Sequence, residues 1–81
     1  MEKHAGEYRE VLALQAAYQE LEVAAARMLG EAGCRRWLEE ASRGIREREL
    51  QASPVRAVAE LRRLVEQARA ALRRLASPEP T

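Results

Sequence analysis

One histidine, one cysteine, one lysine and no aspartate among 81 residues leave few ways to assemble a catalytic centre. Nucleophilic catalysis needs a nucleophile, a base and a group that orients the base. The sole imidazole, His4, falls in the first turn of the opening helix. Cys34 has Arg35 and Arg36 beside it, whose charge favours a thiolate, yet its place on an apolar helix face assigns it to the core. Ser53 reads as a helix cap, Ser77 and Thr81 belong to the tail, and Ser42 stands mid-helix without a partner. The close carboxylate pairs are Glu7 and Glu10, Glu20 and Glu22, and Glu39 and Glu40. None has the apolar setting that would separate two pKa values into an acid and a base, so they read as solvated faces. His4 and Glu7 lie one helical turn apart, but helical carboxylate-bridged metal sites use the reverse order, Glu-x-x-His. The sequence therefore predicts no enzyme, no cofactor and no metal.

Charge offers a second kind of chemistry. Between positions 55 and 76 there are six Arg and two Glu, whereas positions 1–30 carry a net −2. Arg56, Arg63 and Arg74 share the back of one helix, a one-sided positive field of the sort that phosphate binding uses. No aromatic residue accompanies them for base stacking, no Gly-rich loop is present, and the whole chain is nearly neutral at +1. Nucleic-acid binding through Arg56, Arg63 and Arg74 is accordingly the alternative expectation. In the leading one these Arg flank a core and pair with Glu60, Glu66 and the acidic N-terminal helix.

The elements that position these residues are helices. Ala, Leu, Glu, Arg and Gln dominate, and no segment alternates with the period of a strand. Gly30 and Gly33 punctuate the chain once and Ser53-Pro54 again, giving helices at about 3–29, 31–51 and 54–76 and a disordered tail at 77–81. In helix 1, Val11, Leu14, Tyr18, Leu21, Ala25 and Met28 follow the three-four spacing of a packing stripe. A second row, Ala5, Leu12, Ala16 and Val23, lies about 100–140° around the same helix.

Cys34, Trp37, Leu38, Ala41 and Ile45 form the apolar face of helix 2, opposite an alternating ladder of Glu31, Arg35, Glu39, Arg43 and Glu47. Two features trouble its limits: Gly44 could end it early in a left-handed cap, and its uncapped start would let helices 1 and 2 run on as one kinked helix. Helix 3 has Ser53 at the cap and Pro54 at the first helical position, then Val58, Leu61, Val65, Ala68, Leu72 and Leu75 on one stripe, widened by Leu64 and Ala71.

The fold class is thus all-α: a three-helix bundle, or a helical hairpin plus a third helix, assembling as a dimeric helical bundle of coiled-coil character. Self-association follows from two features. Sixteen Ala against one Trp, two Tyr and no Phe make a thin core, and a chain this short rarely gains more than about 3–5 kcal/mol from its core alone. Helix 1 also shows apolar residues on two sides. The expected interface is Leu12, Ala16, Tyr18 and Val23, facing a second copy or a helical protein partner, and the expected role is that of an adaptor or regulator. Thirteen Arg against one Lys, with no Asn, point to a GC-rich genome and fit a thermophilic source. A lone cysteine and the absence of a signal peptide or apolar span predict a cytoplasmic protein without membrane contact.

Overall fold

A computed structural model describes residues 5–77, of which the great majority are helical and none is in a strand. The elements are α1 (Ala5–Ala41), a single turn α2 (Glu47–Leu50) and α3 (Pro54–Ala76). His4 and residues 78–81, and with them the start of helix 1 and most of the expected tail, lie outside the described residues.

α1 is not one rod. Gly30 has φ 74° and ψ −177°, a non-helical conformation open to a residue without Cβ, and the helix resumes immediately after it. The rings of Tyr18 and Trp37 stack with centroids 5.5 Å apart. Nineteen residues of straight helix would separate them by about 28 Å, so the chain doubles back at Gly30. The two arms are 5–29 and 31–41. α3 then runs antiparallel to the second arm, as Arg46–Glu60, Ala41–Gln67 and Glu40–Arg74 contacts show, and parallel to the first, where Glu10 meets Arg62. The result is an up-down-up arrangement of three helical rods.

The second rod is shorter than the sequence suggests. Helix 2 was expected over 31–51, but α1 ends at Ala41 and a turn follows, with Gly44 at φ 75°. Gly44 supplies the early left-handed break that its sequence position allowed, and tertiary bonds hold it. Gln67 of α3 donates from Nε2 to the carbonyls of Ala41 (2.8 Å) and Arg43 (3.0 Å), satisfying acceptors that a continuing helix would have used itself. Glu60 fixes the same connection by accepting the backbone N–H of Arg46 at 2.7 Å. Arg43 and Glu47 therefore leave the expected ladder, of which Arg35–Glu31 stands at 3.7 Å.

Among the described residues Trp37 is the one large side chain fully withdrawn from solvent. Around it the core is built from small residues, Ala25, Ala41, Ala68 and Ala71, together with Leu61 and Leu64. Val11, Leu14, Tyr18, Leu21, Leu29, Cys34, Ile45, Leu72 and Leu75 pack at its margin. Met28, expected on the inward stripe of helix 1, is instead 60% exposed. The reversal at Gly30 gives the inward position to its neighbour Leu29. Ser53 occupies the cap position of α3 with extended backbone, but its hydroxyl makes no capping hydrogen bond.

Candidate functional site

Rods of Ala-rich sequence approach closely, and close approach leaves little concave space. One hollow of about 460 Å³ is open to solvent and lined by Ala26, Gly30, Glu31, Cys34, Arg35 and Leu38. Its lining surface is almost wholly apolar, and its two charged members, Glu31 and Arg35, are strongly exposed and lie 3.7 Å from each other. Cys34, expected as a buried core residue, packs against the core margin while also lining this hollow. Among the described residues no three His, Cys or Glu side chains gather as metal ligands, and every buried side-chain nitrogen or oxygen has a partner. Of the His4–Glu7 pair, His4 lies outside those residues. No helix among them is long and apolar enough to cross a membrane.

The carboxylates serve structure. Glu10 accepts from Arg62 and Glu40 from Arg74, tying α3 to each arm of α1. Glu60 is buried, and the hydrogen bond from the Arg46 N–H, against the opposing cost of burial and with help from Arg63 at 3.0 Å, holds its carboxyl below the usual range. Burial, with Glu22 and Cys34 nearby, raises the Tyr18 phenol above its ordinary value.

The three Arg expected to face phosphate each meet a carboxylate. Arg56 lies 4.0 Å from Glu49, Arg63 pairs with Glu60, and Arg74 pairs with Glu40. A nucleic acid on this face would have to compete with three fixed negative charges. The row thus offers less positive field than its Arg count implies.

The expected interface residues divide. Tyr18 turns inward onto Trp37 and is not on the outer surface with the others. Its backbone position, about 120° or more from Leu12 around the helix, accounts for this. Leu12 and Val23 are 65% and 53% exposed, and Ala16 is exposed between them. With Tyr8, Gln19 and Ala26, also exposed, they form an outward row without a single charge. Tyr8 and Ala26 join the expected Leu12, Ala16 and Val23 because the same three-four spacing extends to both. Ala16 and Val23 border a shallow depression of their own with Gln19 and Glu20. No family model, curated protein or solved structure matches this chain.

Proposed function

We propose that this protein is a non-enzymatic helical interaction protein, an adaptor or regulator, that self-associates through the outer face of its first arm. One observation carries the reading: the row Tyr8, Leu12, Ala16, Gln19, Val23 and Ala26 is exposed and uncharged in a chain that is 33% charged. Eighteen residues of helix make that row about 27 Å long. A helix face that only meets water ordinarily carries charged and polar side chains. The core-facing stripe of the same arm already has its partners in Trp37 and α3, so the outer row is surplus to the folding of a single chain. Covering it with a second copy removes apolar area from water at about 25 cal/mol per Å². Sedimentation at micromolar concentration tests the reading, and a stable, well-folded monomer would overturn it.

A further inference from the structure

Gly30 reverses a helix without a loop. Helix–helix connections usually take about 2–8 residues, whereas here one residue with non-helical angles separates two helical arms. The turn is crowded. A Cβ built on Gly33 would stand 2.5 Å from the Cβ of Leu29, where side chains four apart in a regular helix keep their Cβ atoms about 5–6 Å apart. Both glycines are thus required by the reversal, and neither would be required by a straight helix. The residues around them, Met28, Leu29, Glu31 and Ala32, are ordinary or strong helix formers.

We infer that Gly30 is an exchange hinge, through which two copies of the chain can trade their first arms. Moving φ and ψ of this one residue into the helical region turns α1 into a continuous rod of 37 residues, about 55 Å long. The straightened chain loses the contacts of arm 5–29 with its own second arm and α3. A second copy in the same state supplies them identically: Tyr18 onto the partner's Trp37, and Glu10 onto the partner's Arg62. The second arm and α3 move as one body, because the Trp37–Ala68, Gln67–Ala41 and Arg74–Glu40 bonds lie within it. Exchange of this kind is a low-cost route to a dimer when a tight hinge is relieved by opening. It makes no use of the outer row of Leu12 and Val23, so it stands apart from the association proposed above.

The test is Gly30→Ala in a Cys34→Ser, Glu10→Cys, Arg62→Cys background, with a short bismaleimide bridging the two introduced thiols. Alanine is strained at positive φ and gains helix propensity in the rod, once in each chain. The dimer dissociation constant should therefore fall by about a thousandfold relative to the Gly30 parent. The bridge should run between chains, giving a covalent dimer on a denaturing gel. Gly33→Ala should move the equilibrium in the same direction, by crowding Leu29 in the reversed form alone. Adding Leu12→Glu and Val23→Glu to the Gly30→Ala variant should leave the exchanged dimer intact. A folded monomer with Gly30→Ala overturns the inference. So does a dimer whose bridge stays within each chain, a dimer that the two Glu substitutions dissolve, or failure of both glycine variants to fold at high concentration.

Discussion

The indole of Trp37 donates from Nε1 to the backbone carbonyl of Ala68 at 2.9 Å, a buried bond between residues 31 apart in sequence. It is available because Ala68 has no side chain beyond Cβ, so the ring can reach the α3 backbone. The carbonyl has two lone pairs, and the indole bond need not replace the helical one. With Tyr18 of the first arm stacked on its ring, Trp37 joins all three rods.

Trp37→Phe should cost about 1–2 kcal/mol, combining the lost hydrogen bond with a modest loss of packed volume. Trp37→Ala should cost about 3–5 kcal/mol, comparable to the whole stability expected of so small a core. Chemical denaturation followed by far-ultraviolet circular dichroism checks both, since the substitutions remove the only Trp fluorophore.

Glu60 should give the fold an acid-sensitive joint. Its folded pKa lies below that of the unfolded chain, so its contribution is complete above the ordinary glutamate value, about 4.3. It is lost as pH falls through the folded value. Thermal melts of Glu60→Gln against the parent should therefore differ most near neutrality and converge in acid. An unchanged difference at every pH would show that protonation of Glu60 is not what weakens the fold.

Gln67 holds two carbonyls at the end of the second arm. Gln67→Ala should destabilise by about 1 kcal/mol and speed amide exchange around positions 42–46. Gln67→Glu cannot donate to those carbonyls and should be at least as damaging.

At the outer row, Leu12→Glu or Val23→Glu should abolish the proposed self-association without loss of helicity. Leu61→Glu, at a buried position, should unfold the chain. Analytical ultracentrifugation with circular dichroism on the same samples separates the two effects. Loss of helicity with Leu12→Glu would assign that side chain to the fold of the single chain.

The Arg row makes a contrasting case. With Arg56, Arg63 and Arg74 engaged by Glu49, Glu60 and Glu40, duplex DNA or RNA should not be retarded at about 50 mM salt. A salt-dependent shift that disappears in Arg63→Glu, Arg74→Glu would instead favour a nucleic-acid partner.

Periodicity made much of this molecule legible in the sequence. The spacing of Val11, Leu14, Tyr18, Leu21 and Ala25, and of Val58, Leu61, Val65 and Ala68, marked the faces that meet in the core, because a helix returns to the same side every three or four residues. Helical rods separated near Gly30 and at Ser53-Pro54 followed from punctuation alone. The outward position of Leu12, Ala16 and Val23 was also implicit in their angle around the helix. Tertiary structure decided the rest. Local signals left the end of the second rod open between position 51 and an early break at Gly44, and the fold realised the break, with Gly44 at positive φ and the long-range bonds from Gln67 and Glu60 holding the connection that follows Ala41. Tyr18 reads from spacing alone as either core or interface, and Trp37, nineteen positions away, settled it inside. Whether the Arg of α3 stood open or paired was left between two readings by the sequence, and folding set Glu49, Glu60 and Glu40 against Arg56, Arg63 and Arg74. A sequence reports which side of its own helix a residue occupies. Which groups stand across from that side depends on how distant segments return to it.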